Sequence, residues 1–130
     1  MKLTNADIYN TRQPFRKLLA VKLPVKVSLQ VIHLWKKVEG PLAEMQSVVD
    51  KLIIAHGKQD RTGAHRISPE MEGFPKYAEE LGELMTCEVE LDFSVVMLPA
   101  NIEIEPFVLL ALEKFVAVEG QPMTKLESNN

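Results

Sequence analysis

Residues 25–55, VKVSLQVIHLWKKVEGPLAEMQSVVDKLIIA, decide how this chain folds. Val31, Val38, Met45 and Leu52 recur every seven residues, and Leu34, Trp35, Leu42, Val48 and Val49 fill the turns between them. Apolar positions three and four apart over that length define one side of a long α-helix. Gly40-Pro41 interrupts the stripe without shifting its phase, so one kinked helix is expected rather than two unrelated ones. Such a helix needs a neighbour for its apolar side. Upstream, Thr4-Asn5-Ala6-Asp7 reads as a capping box opening a helix that runs to about Ala20. Ile8, Phe15, Leu18 and Leu19 share one side of it, and Pro14 removes a backbone donor, predicting a kink or a restart. Lys22-Leu23-Pro24 is a short connection, with Pro24 suited to the first turn of the next helix. The two helices therefore form a hairpin.

Downstream, 57–68 is polar, contains Gly57 and Gly63, and reads as an exposed loop or small hairpin. Pro75 to Met85 predicts a third helix through Tyr77, Ala78, Leu81, Leu84 and Met85. The period then changes from helical to two. Val89, Leu91, Phe93, Val95 and Met97 alternate with Glu88, Glu90, Asp92 and Ser94, the clearest strand signal in the chain. Ile102 and Ile104 suggest a second short strand, and a final helix is expected from Pro106 through Phe107, Leu110, Ala111, Phe115 and Val118. Helices first, then a small β-element, then a terminal helix is an α+β arrangement. A single domain over 1–118 and a flexible tail over 119–130 are expected.

With 130 residues, 46% hydrophobic and 25% charged, the chain has the composition of one globular domain and not of a disordered or collagen-like one. The single cysteine, Cys87, excludes an intramolecular disulfide and a four-cysteine metal site. No apolar run has the length needed to span a bilayer, and the N-terminal residues lack the apolar centre of a signal peptide. A cytoplasmic protein without membrane partners is expected. The formal charge is −3, but it is unevenly placed. Residues 1–66 hold twelve Lys/Arg against five Asp/Glu, and residues 67–130 hold three against thirteen.

Catalytic and metal chemistry find little foothold. His33, His56 and His65 form no His-x-x-x-His pair, and Cys87 is remote from all three. His33 reads as a half-buried helical residue, His56 as a helix C-terminal one, and Cys87 as a small buried hydrophobe. No phosphate-binding glycine loop, Gly-x-Ser-x-Gly elbow or nucleotide fingerprint is present. No cofactor, no metal and no catalytic residue is assigned, and the chain reads as a non-enzyme. Glu79, Glu80 and Glu83 on the third helix, with Glu88, Glu90 and Asp92 on the strand, compose one acidic region. It reads either as an ordinary solvent face or as a functional acidic surface. The basic half is expected to compensate it internally, which makes direct nucleic-acid binding the weaker reading.

The chain resembles a family of small uncharacterised phage and prophage proteins with a domain of unknown function. The resemblance rests on Met1-Lys2-Leu3-Thr4-Asn5, Lys22-Leu23-Pro24-Val25-Lys26, Ser68-Pro69-Glu70, Phe74-Pro75-Lys76 with Leu84-Met85, and Glu88-Val89-Glu90-Leu91. It closes with Ile104-Glu105-Pro106 and Ala111-Leu112-Glu113-Lys114-Phe115, covering most of 1–118. Gly40-Pro41 departs from the smoother helix of similar proteins. None of these motifs is catalytic. The resemblance implies a phage origin and, with it, a protein-interaction role as an accessory or structural component in virion assembly, in the host cytoplasm or the virion. Trp35, Leu42 and Val49 are the candidate contact residues if part of the long stripe stays exposed, with a phage or host protein or a second copy as partner. The alternative is a phage inhibitor of a host nucleic-acid enzyme or defence complex, acting through Glu79, Glu80, Glu83, Glu88, Glu90 and Asp92.

Overall fold

A computed structural model describes residues 1–120 of the chain. Most of the tail expected over 119–130 lies outside them. The fold is α+β, built on a helical hairpin with one long helix, short strands and a terminal helix. In chain order the elements are β1 (Lys2–Thr4), α1 (Asn5–Tyr9), α2 (Arg12–Leu19), α3 (Val25–His56), β2 (Lys58–Gln59), β3 (His65–Arg66), α4 (Phe74–Thr86), β4 (Glu88–Glu90), β5 (Val96–Leu98), α5 (Pro106–Ala111) and β6 (Val116–Val118). They gather into two compact units, Met1–Tyr9 with Glu39–Leu91 and Asn10–Val38 with the chain from Asp92 onward.

The first unit is organised by backbone and side-chain hydrogen bonds as much as by apolar packing. The capping box forms as the residues dictate: the Asp7 amide donates to Thr4 Oγ1 at 3.1 Å, and the Thr4 amide donates to Asp7 Oδ2 at 3.0 Å. The helix it opens is only five residues long. β1 precedes it, unforeseen in the sequence, and pairs antiparallel with β4 in the register Lys2 to Glu90, Leu3 to Val89 and Thr4 to Glu88. The Asn5 side chain donates to the Leu84 carbonyl at 2.9 Å, tying α1 to α4. Leu42, Met45 and Val49 from the second half of α3 are buried, as are Leu3, Ile8 and Leu91. The loop after α3 does contain a small antiparallel hairpin, β2–β3. Two glycines permit backbone to pass against backbone here. A Cβ on Gly57 would collide with the Arg66 carbonyl, and one on Gly73 with the His56 carbonyl.

The second unit has an aromatic and aliphatic centre. Phe15 of α2 packs against Trp35 of α3 and edge-on against Phe115, with centroids 5.5 and 5.7 Å apart. Phe93 stacks on Phe115 at 5.1 Å. Leu18, Val31, Val38, Leu98, Val108 and Leu112 complete a core with almost no solvent exposure. β5 and β6 pair in parallel, Val96 to Val116 through Leu98 to Val118, with α5 in the connection between them.

Four local expectations fail, each for a physical reason. The first helix restarts at Thr11, before Pro14, and not at it. Pro14 falls in the first turn of α2, where its missing N–H is tolerated, so the break lies upstream. The long alternating strand stops at Glu90 and resumes only at Val96, because β1 offers a three-residue partner and only Leu91, which exchanges hydrogen bonds with Met1, extends that pairing among the described residues. Ile102 and Ile104 alternate but form no strand; Pro99 and Pro106 bracket them, and the Ile102 amide turns back to the Pro99 carbonyl. The terminal helix ends at Ala111. Val116 and Val118, spaced by two and β-branched, take strand geometry beside β5.

Helix α3 runs unbroken past Gly40 and Pro41, although Pro41 has no N–H to give the Lys37 carbonyl. Among the described residues no helix is long and apolar enough to cross a membrane.

Candidate functional site

The six acidic residues do not form one free surface. Glu80 is held by His56, the last residue of α3, whose Nε2 lies 2.6 Å from Glu80 Oε1 in a partly buried setting. Glu90 accepts from the Met1 amino group at 2.8 Å and faces Lys2 across the β1–β4 ladder. Glu88 lies 3.8 Å from Lys2 Nζ, and Glu79 lies 3.5 Å from Lys76 on the same helix. Opposite charges across a strand pair stabilise it, so the acidic side of β4 complements Lys2 and the Met1 amino group. Glu83 is exposed, and Asp92 belongs to the other compact unit, where its backbone carbonyl accepts from Lys37 Nζ at 2.5 Å.

The apolar candidates divide. Leu42 and Val49 are core residues, 8% and 5% exposed, and the exposure on which their contact role depended is not met. Trp35 is half-buried against Phe15. Of the stripe, only Val48 is exposed, at 38%; off it, Val25, Leu29 and Ile32 are 85%, 52% and 40% exposed. Spaced by four and three, they share the side of the helix away from Val31, Leu34 and Val38. The sequence contained that signal as a second apolar row, out of phase with the first, but the strength of the main stripe hid it.

This row sits in the most one-sided part of the chain. Residues 10–38 hold seven Lys/Arg and no Asp/Glu. Lys17 reaches Glu105 at 2.8 Å and overlies the Phe107 ring, and Lys37 is held by the Asp92 carbonyl. Arg16, Lys22, Lys26 and Lys36 are exposed, and none has a hydrogen bond or ion pair among the described residues. Internal compensation therefore accounts for the acidic residues better than for the basic ones.

The remaining polar groups serve local structure. Asp60 accepts from the Thr62 hydroxyl and amide, the Ala64 amide and Arg66 Nε, closing the β2–β3 turn. The Thr62 hydroxyl, with Arg66 next, holds its carboxyl well below the usual carboxylate range. Cys87 is exposed and not buried; it follows α4 directly, and its Sγ donates to the Glu83 carbonyl. His33 is likewise exposed, on the outer side of α3. Among the described residues no three His, Cys, Asp or Glu side chains gather as metal ligands would. Comparison with known proteins finds no matching family model, curated protein or solved structure.

Proposed function

We propose that this is a phage-encoded, non-enzymatic interaction protein, an accessory or structural component of virion assembly acting in the host cytoplasm or the particle. One observation supports a binding role above the rest. The row Val25, Leu29 and Ile32 is left open to solvent on the helical hairpin, with Lys22, Lys26 and Lys36 without partners among the described residues. Apolar side chains grouped at one exposed place favour a protein partner over water. Two of the side chains with chemical potential are engaged structurally, His56 with Glu80 and Asp60 within its turn. The phage assignment draws on the resemblance alone.

The inhibitor reading, with an acidic surface imitating a phosphate backbone, has less support. Glu79, Glu88 and Glu90 each face a cationic group of the same chain, and Glu80 is hydrogen-bonded to His56. The deciding experiment infects cells with phage encoding a tagged copy and fractionates the lysate. Co-sedimentation with capsid or tail intermediates supports the assembly role. Recovery only with a host nuclease, polymerase or defence complex overturns it in favour of inhibition.

A further inference from the structure

We propose that the exposed row at 25–36 of α3 docks, antiparallel, on the stretch 39–54 of α3 in a second copy of this chain. The first surface consists of Val25, Leu29 and Ile32, with Lys26 and Lys36 beside them. A partner for it must offer apolar contact and carboxylates together. The chain carries such a surface itself. Glu39, Glu44 and Asp50 are exposed in 39–54, along with Ala43, Ser47 and Ile54, the last 56% exposed. Neither Glu39 nor Glu44 has a hydrogen bond or ion pair among the described residues, and Asp50 accepts only from Gln46 on its own helix.

The two rows have the same spacing. Positions 25, 29, 32 and 36 step by four, three and four, as do positions 43, 47, 50 and 54. Both therefore run as straight seams along the helix surface. Laid antiparallel, Val25 meets Ile54, Leu29 meets Asp50, Ile32 meets Ser47, and Lys36 meets Ala43 beside Glu44. Lys26 then falls within a turn of Asp50. A parallel alignment instead sets Lys36 on Ile54, the one large apolar residue of the acidic row, and leaves Val25 only Ala43 to meet. Pairing the basic row with itself sets lysine against lysine, which disfavours it. Close approach is open at the centre: a Cβ on Gly40 would have nothing within 4 Å, and Ala43 and Ser47 are small. Lys51 is the one cation in 39–54, so the stretch remains acidic. Every copy presents both rows, so each contact is available twice.

Sedimentation equilibrium of the full chain between ~10 μM and ~1 mM tests this, in low salt and again in high salt. Expected is reversible self-association that weakens at least about tenfold in high salt. The pairs Lys26→Glu with Lys36→Glu, and Glu44→Lys with Asp50→Lys, should each remove it. All four sites are exposed, so both variants should keep the wild-type circular dichroism. Mixing the two variants should restore association, because one then supplies an acidic row for the other's reversed charges. A wild-type chain that stays monomeric throughout overturns the proposal, as does association that both variants retain. The test uses purified protein alone, so its outcome is separate from that of the virion-assembly reading.

Discussion

Of the apolar residues buried in this protein, Phe15, Leu18, Val38, Leu98, Val108, Leu112 and Phe115 are closed to solvent to within 1%, and all lie in the unit formed by 10–38 and the chain from Asp92. In the unit formed by Met1–Tyr9 and Glu39–Leu91 only Ile8 is so deeply placed, and α4 has no buried residue at all. The charges divide the other way. In the first-described unit of hydrogen bonds and glycine contacts, Glu79, Glu88 and Glu90 face cations while Glu39 and Glu44 do not; in the aromatic unit, Arg16, Lys22, Lys26 and Lys36 have no partner among the described residues. Apolar packing there supports a surface whose charges are left unpaired, while elsewhere surface charges help to hold thin packing together. The uneven charge of the sequence is thus two different things, a structural device around the β1–β4 ladder and unmatched surfaces along α3.

Substitutions can break that contrast. Phe115→Ala should have the largest effect, because the ring contacts both Phe15 and Phe93 at the centre of the aromatic unit. A loss of about 3–5 kcal/mol in urea unfolding is expected. A loss under about 1 kcal/mol would mean that this core is not what the unit depends on. Gly73→Ala probes the other unit. The added methyl meets the His56 carbonyl, a backbone atom that cannot rotate away, and a loss of about 1–3 kcal/mol is expected by the same measurement. Gly82→Ala is its control on the same helix, where nothing lies within 4 Å; it should raise stability by up to ~1 kcal/mol through helix propensity.

The smallest expected effect is local and depends on pH. The carboxyl of Asp60 is held below its unfolded value, so its contribution is present above the usual carboxylate range and is lost only as pH falls through the lowered value. The amide signals of Thr62 and Ala64, which donate to Asp60, should keep their positions at pH 4. Movement of those signals already between pH 5 and pH 4 would show that the turn is held some other way.

Much of the architecture was legible because strong periodicity needs little tertiary help. The stripe through Val31, Val38 and Met45 specifies α3, and Thr4 and Asp7 specify the start of α1. Strands were less legible, since a strand exists only where another segment supplies its hydrogen bonds. Val89 and Phe93 belong to the same alternating run, yet only Val89 has a partner strand, supplied by β1 from the far end of the chain. Val116 and Val118 read as the end of a helix until β5 is placed beside them. The candidate contact residues were misplaced for a related reason. Periodicity finds the side of a helix that is buried, and Leu42 and Val49 are good core residues for that reason. The open row, Val25, Leu29 and Ile32, is recognised only by knowing which side the rest of the fold covers.

The most direct test of an unmatched surface on α3 is the concentration dependence of its amide NMR signals, recorded on dilution from ~1 mM to ~10 μM. Signals from 25–36 and from 39–54 should move together on dilution, while those of the β2–β3 hairpin and of α5 stay in place. Signals that do not move in either stretch, or that move in α4 instead, would contradict it.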